Sequence, residues 1–146
     1  MKFTNFYGLA FMLVIMIPNI IFAVKNKDGF EDLWKNKFVE LFEQIGRFCC
    51  FAFMVVIIPG MGFSFCSKRE FILYLIIDTV LLTAYVLIWI LCFKTNSVFK
   101  SLALSIIPSV IFLASGILTR YIPLIVSAVI FAPCHILISY KNAKMN

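Results

Sequence analysis

The amino-acid sequence predicts an all-α membrane protein, a bundle of five transmembrane helices with an interfacial amphipathic helix between spans 1 and 2. Of its 146 residues, 63% are hydrophobic and 14% are charged, and the mean hydropathy is +1.04. A soluble domain carries about 25% charged residues. Too little polar surface remains here to cover a globule, so lipid must cover the rest. Long apolar runs also recur along the whole chain with short polar segments between them, which fits a single membrane domain over residues 1–146.

The composition argues against several classes of function. The net charge is +6, but the basic residues stand singly or in pairs between apolar runs, so we expect no nucleic-acid partner. The five cysteines show no CxxC spacing and the chain has one histidine, so we expect neither a metal site nor a cofactor. The HExxH, GxSxG and GxxxxGK[ST] motifs are missing from the sequence, which weighs against an enzyme.

The first predicted span covers about residues 6–24, a length sufficient to cross a hydrocarbon core of roughly 30 Å. A cleaved signal peptide is the alternative, although the apolar run is long for one and further spans follow. The interfacial helix is predicted over about residues 29–45, where Asp28 and Glu31 resemble a capping box. Apolar residues recur there at helical spacing, and such a helix beside a membrane should lie at the interface. They are Phe30, Leu33, Trp34, Phe38, Leu41, Phe42 and Ile45.

The second predicted span, about residues 45–66, contains Pro59 and Gly60, which should break or kink a helix. The apolar residues 48–58 give only about 16 Å of helix, which is too short to cross. Either the chain continues past the break to about residue 66, as a kinked or re-entrant segment, or the embedded helix starts near Val39. The second solution would draw four polar residues of one helix face to headgroup depth or below. They are Glu40, Glu43, Gln44 and Arg47.

Three further spans are predicted over about residues 71–93, 101–118 and 122–140, with short polar turns between them. Small residues at helical spacing in spans 4 and 5 predict that these two spans form a tight hairpin. With five spans, four Lys and Arg residues fall on the side of the N-terminus and nine on the opposite side. The positive-inside rule then places the N-terminus outside and the C-terminus in the cytoplasm of the cell membrane.

Polar residues within the apolar segments are candidate site residues, because polar and charged groups are costly inside a bilayer. Asp78, within span 3, is a candidate proton or cation site, with a structural hydrogen bond to a neighbouring span as the alternative. Asn19 directly follows Pro18, and His135 lies two residues after Pro133. Each proline frees a backbone carbonyl four residues earlier, which membranes tolerate where it is buried or lines a cavity.

Five residues are predicted to contact a ligand in a polar pocket that is open to the cytoplasm, because all lie toward that side of the predicted topology. The five are Asn19, Glu40, Glu43, Arg47 and His135. Two alternatives stay open. Glu43 and Arg47, four residues apart, could form a surface ion pair on the wet face of an interfacial helix. Asn19 and His135 could serve only to bridge helices.

Three stretches of the sequence resemble a known group of proteins. They are residues 17–20 (IPNI), 25–30 (KNKDGF) and 43–47 (EQIGR). Together they resemble small multi-pass membrane proteins of low-GC Gram-positive bacteria, and the excess of Lys over Arg, ten to three, fits an AT-rich genome. That group has no known function to transfer. The resemblance therefore implies only a class and a location.

The leading functional hypothesis is a membrane protein that binds or transports a small solute through the cytoplasm-facing pocket. With five spans, a full transport path would require a homodimer. The first alternative is a non-catalytic membrane subunit or regulator that docks a partner protein through the amphipathic segment. An intramembrane enzyme is the third hypothesis. The expected partners are the lipid bilayer, a small solute, and a second copy or another membrane protein.

Overall fold

The computed structural model describes residues 3–26 and 33–145, and every long element in these ranges is an α-helix. The five helices are α1 (Phe6–Lys25), α2 (Lys37–Val55), α3 (Lys68–Leu91), α4 (Val98–Thr119) and α5 (Ile122–Met145). Four of them, α1, α3, α4 and α5, are long and apolar enough to cross a membrane. The predicted all-helical class is therefore confirmed, and four long apolar helices are compatible with the predicted integral membrane protein. These four helices overlap the first, third, fourth and fifth predicted spans.

The region between α1 and α3 differs from the sequence prediction. In place of an amphipathic helix over 29–45 and a span over 45–66, one continuous helix, α2, begins at Lys37 and ends at Val55. Residues 33–36 are not helical, and residues 29–32, with the proposed cap at Asp28 and Glu31, lie outside the described ranges. The helix stops before Pro59: the backbone is already extended at residue 56.

Asn36 and Glu40 set the start of α2. The Asn36 side chain accepts hydrogen bonds from the backbone N–H groups of Phe38 (3.2 Å) and Val39 (3.4 Å). In return, the backbone N–H of Asn36 donates to Oε1 of Glu40 at 3.0 Å. This reciprocal pair resembles a capping box, with Asn in the first position and the acidic residue four rather than three residues later. Because nothing between residues 37 and 55 interrupts the backbone hydrogen bonds, a single helix follows the cap.

The helices run alternately up and down and form a closed ring in the order α1, α3, α4, α5, α2. At one end, the backbone of Asn5 donates to the carbonyl of Val55 (2.7 Å), and Ser64 donates to the carbonyl of Thr119 (2.9 Å). At the opposite end, the backbone N–H of Trp34 donates to the side chain of Asn142 at 2.9 Å. We call the first the Tyr121 end and the second the lysine-rich end. The ring places both ends of α2 level with the ends of its neighbours.

Glycines mark the closest approaches between helices. A Cβ at Gly46 of α2 would lie 2.9 Å from the backbone nitrogen and Cα of Phe131 in α5. A Cβ at Gly116 of α4 would lie 2.9 Å from a side-chain carbon of Ile125 in α5. In lipid, where apolar burial does not drive helix association, such close packing is a main source of stability. The α4–α5 hairpin agrees with the small-residue pattern of the sequence.

Tyr121 forms hydrogen bonds with the segment that follows α2, and removal of its hydroxyl gives a testable prediction. Its buried hydroxyl donates to the carbonyl of Val56 (3.1 Å) and accepts from the N–H of Ile58 (2.9 Å). Tyr121→Phe should lower the free energy of unfolding by about 1–3 kcal/mol, because both backbone groups lose their partner. The check is thermal unfolding of the purified protein, with Tyr7→Phe, an exposed tyrosine, as the matched control. Equal unfolding temperatures for the two variants would contradict the prediction.

Candidate functional site

A cavity of about 560 Å³ lies inside the ring, toward the lysine-rich end, and all five helices contribute to its wall. Its size falls within the range of small-molecule sites. The polar residues of the wall are Asn19, Arg47, Tyr85, Asn96, Lys100, Ser101, Ser105, His135, Ser139 and Asn142. Farther along the helices, the wall turns apolar and aromatic at Ile15, Phe51 and Phe112. The cavity wall is thus polar and charged near the lysine-rich end and apolar at the inner end of the cavity.

An ionic cluster of three residues stands at the wall between α2 and α5. Oε1 of Glu43 accepts from Nε of Arg47 at 3.0 Å and also contacts the terminal nitrogen Nη2 of that guanidinium. The same oxygen lies 2.8 Å from Nδ1 of His135, 92 residues away in the sequence. Glu43 is only 3% exposed, while the ring of His135 stacks on Phe131 at 4.6 Å. Glu43 therefore holds Arg47 and His135 in place at the cavity, as a buried carboxylate shared by two basic groups.

This geometry answers one of the alternatives left open by the sequence. An ion pair on the wet face of an interfacial helix would have Glu43 exposed, whereas Glu43 is buried against α5. The apolar residues of α2 are instead the exposed ones, among them Phe38 (77%) and Phe48 (69%). The buried charge of α2 is thus Glu43, which points into the bundle, while several large apolar residues of the same helix point outward.

Asn19 of α1 also lines the cavity. Its side-chain amide donates to the hydroxyl of Tyr85 at 2.7 Å and to the carbonyl of Ile15 at 2.9 Å. The amide therefore bridges α1 to α3, as the structural alternative held, and it does so at the wall of the cavity. Sequence reasoning missed Tyr85, because a tyrosine in an apolar span carries no signal that distinguishes a cavity residue from a packing residue.

Lys100 is the second residue that the sequence analysis missed. The predicted spans leave Lys100 in the polar turn before residue 101, but it lies in the first turn of α4 and is 5% exposed. Its Nζ lies 4.5 Å from the ring centroid of Phe22 and 5.2 Å from that of Trp89, and it donates to the carbonyl of Phe93 at 3.3 Å. The available signal was Ser97, which caps α4 by accepting from the N–H of Lys100 at 3.2 Å.

Three of the six sequence candidates, Glu40, Asp78 and Glu43, do not line the cavity. Glu40 caps the start of α2, a structural role that accounts for its carboxylate. Asp78 is fully buried between α3 and α4, where its Oδ2 accepts from the hydroxyl of Ser115 at 2.5 Å. Its Oδ1 is buried without a hydrogen-bond partner among the described residues. Asn19, Arg47 and His135 line the cavity, and Glu43 stands directly behind the last two.

The described residues contain no group of three or more His, Cys, Asp or Glu side chains placed to hold a metal ion. The ionic cluster of Glu43, Arg47 and His135 can bind a ligand through hydrogen bonds and charge. Within it, the planar guanidinium of Arg47 supplies hydrogen-bond donors at the cavity wall. No protein-family model, curated protein or solved structure matches the chain.

Proposed function

We propose that this protein crosses the membrane five times and binds a small solute in the cavity, with the cavity open toward the cytoplasm. The observation that carries the proposal is a charged and polar cavity lined by all five helices, inside a bundle whose exposed residues are largely apolar. Polar groups within a membrane bundle are costly, so a wall that gathers this many of them favours a ligand-binding role.

The distribution of residues on α2 supports the fifth crossing. Its 19 residues give a helix of about 28 Å, close to the thickness of a hydrocarbon core. Its low mean hydropathy comes from residues such as Glu43 and Arg47, which face other helices, while Phe38, Leu41 and Phe48 are exposed. A helix that buries Glu43 and exposes several large apolar side chains along its length is suited to lipid.

The charge distribution supports the orientation. Among the described residues, seven basic side chains belong to the lysine-rich end and three to the Tyr121 end. The seven are Lys25, Lys35, Lys37, Lys94, Lys100, Lys141 and Lys144, and the three are Lys68, Arg69 and Arg120. By the positive-inside rule the lysine-rich end faces the cytoplasm, which leaves the N-terminus outside.

A transport role would add two features to solute binding. The cavity wall ends at the level of Phe51 and Phe112, so a complete path through the membrane would require a second copy of the chain. Asp78, nearer the Tyr121 end, would then carry a proton or a cation, since one of its buried oxygens lacks a partner in the described part of the chain. Binding is the simpler activity and is the one to test first.

The experiment is a thermal-stability screen of the purified protein against a library of metabolites and ions. A compound that binds only the folded protein at about 100 times its dissociation constant adds roughly 2.7 kcal/mol. Ser139→Trp, on the cavity wall, should abolish the shift because the indole fills the space. Val129→Trp, on the outer face of the same helix and 58% exposed, should retain it.

Two outcomes would count against solute binding. A compound that stabilises wild type and Ser139→Trp equally would bind elsewhere. A screen in which nothing shifts the wild-type protein would overturn the proposal and favour the docking subunit. That alternative predicts that association with a partner protein fails when the exposed Phe38 becomes serine.

A further inference from the structure

The geometry points to an organic anion with an apolar part, carboxylate or phosphate monoester, as the ligand of the cavity, held at its acidic group by Lys100, with Arg47 as a second cation of the same wall. The inference rests on the proposed function and adds the chemical class of the solute. Its basis is a buried cation whose cost the fold alone does not explain.

Lys100 is in an unfavourable place for a positive charge in three respects. It is 5% exposed, so its ammonium group has lost most of its water. It lies in the first turn of α4, which contains no acidic residue and where the helix dipole disfavours a cation. No carboxylate of the described residues lies within ion-pair distance of its Nζ. A lysine near a membrane surface ordinarily avoids such costs by extending to water.

The contacts of Lys100 stabilise the cation without neutralising it. The rings of Phe22 and Trp89 and the carbonyl of Phe93 provide cation–π attraction and one hydrogen bond. None of these groups carries a negative charge. The positive charge of Lys100 and the positive end of the α4 dipole therefore both act on whatever occupies the adjacent cavity, and both favour an anion.

Arg47 adds a second cation farther inside. Glu43 balances one positive charge of its cluster, and Arg47 and His135 share that single carboxylate. With Lys100 included, the charged residues at the wall carry a net positive charge of at least one. Asn19, Ser101 and Asn142 supply further polar groups around the same space.

The apolar depth of the cavity indicates the rest of the ligand. Beyond Arg47, the wall consists of residues such as Ile15, Phe51 and Phe112, which offer no polar partner to a fully hydrated ion. An anion with a short hydrocarbon or aromatic group would place its acidic end at Lys100 and its apolar end against these side chains. A soluble organic acid and a lipid with an anionic headgroup share this chemistry.

The experiment measures binding of four six-carbon probes to the protein in phosphatidylcholine nanodiscs. Hexanoate and hexyl phosphate carry the anion, while hexanol and hexylamine carry the same chain without it. The readout is the fluorescence of Trp89, next to Lys100 at the cavity wall, in a Trp34→Phe background that removes the other tryptophan. The two anions should bind and change the emission, and the other two probes should bind at least about tenfold more weakly.

Three variants test the role of Lys100. Lys100→Gln should weaken anion binding by about tenfold to a hundredfold, since a charge-assisted hydrogen bond is lost. Lys100→Arg should restore most of the affinity, which separates the charge from the fold. Lys94→Gln removes an exposed lysine from the same end and should bind like the wild type. Nanodiscs that contain phosphatidic acid identify a lipid ligand if that lipid competes with hexyl phosphate, and a soluble ligand if it does not.

The failure of this inference differs from the failure of solute binding. If hexanol or hexylamine binds as well as hexanoate, the inference that the ligand is an anion is overturned. The same holds if Lys100→Gln binds hexanoate like the wild type. Solute binding would still hold if some other compound stabilises the protein in a manner blocked by Ser139→Trp. If no compound of any charge binds, both are overturned.

Discussion

Replacing Gly46 by alanine should lower the free energy of unfolding by about 1–3 kcal/mol, and replacing it by leucine should lower it further. The reason is the contact between α2 and α5. A Cβ at Gly46 would lie 2.9 Å from the nitrogen, Cα and Cβ of Phe131, closer than carbon atoms approach in folded proteins. Since two of these three atoms are backbone, the helices themselves must separate, and the cavity wall that they share would be displaced.

The measurement is the unfolding free energy of the purified protein in mixed micelles, from a denaturant titration. Ala52→Leu is the matched control, because Ala52 is an exposed residue of the same helix and a larger apolar side chain there meets only lipid or detergent. We expect the order wild type, Ala52→Leu, Gly46→Ala, Gly46→Leu from the most to the least stable, with the first two close together. If Gly46→Leu is as stable as Ala52→Leu, α2 and α5 do not pack through Gly46.

The second prediction concerns the buried carboxylate of Glu43. Arg47→Gln should destabilise the bundle by about 2–3 kcal/mol, because Glu43, 3% exposed, would keep its charge with His135 as its remaining described partner. Removal of a partner from a fully buried pair costs more, but the Arg47 side chain is 43% exposed. The double variant Glu43→Gln, Arg47→Gln should recover much of the loss, since no buried charge is then left alone.

A double-mutant cycle of Glu43 and Arg47 measures the coupling between the two side chains. An ion pair on an exposed helix face would give about 0.3–0.5 kcal/mol, and a value in that range would contradict the buried arrangement. The matched control is the pair of Arg120 and Glu70, whose side chains are 54% and 28% exposed, so we expect a smaller coupling there. The Glu43→Gln variant should also lose the stabilisation by any cavity ligand, because Arg47 and His135 lose the group that positions them.

The second apolar region shows where sequence reasoning reached its limit. Pro59 and Gly60 correctly indicated a break in the chain, but the sequence left two solutions open for the helix before it. The capping residues Asn36 and Glu40 fix the start of α2, and they are visible in the sequence. The sequence analysis placed the cap at Asp28 and Glu31 instead, because that pair has the three-residue spacing of a capping box, whereas Asn36 and Glu40 are four residues apart.

The residues of the candidate site were likewise predicted only in part from the sequence. The sequence singled out Asn19, Arg47 and His135 because polar groups in apolar runs are costly, and these three residues line one cavity. It could not separate them from Asp78, whose partner Ser115 lies 37 residues away on α4. The free-energy cost of a polar group in a bilayer marks a polar residue in a membrane segment as a candidate. Which helix lies next to that residue decides whether its side chain faces a cavity or another side chain.

The sequence by itself determined the all-helical class and four of the five predicted spans, which correspond to long apolar helices, because the length and hydropathy of a run decide whether it can cross a bilayer. Only the tertiary structure decided that Glu43 of α2 is buried, that His135 contacts Glu43, and that Lys100 lines a cavity. Helical periodicity shows which residues share a face, but not which neighbour that face will meet. In lipid an apolar face can point outward as well as inward, so polar pairing and close backbone contacts between helices make that choice.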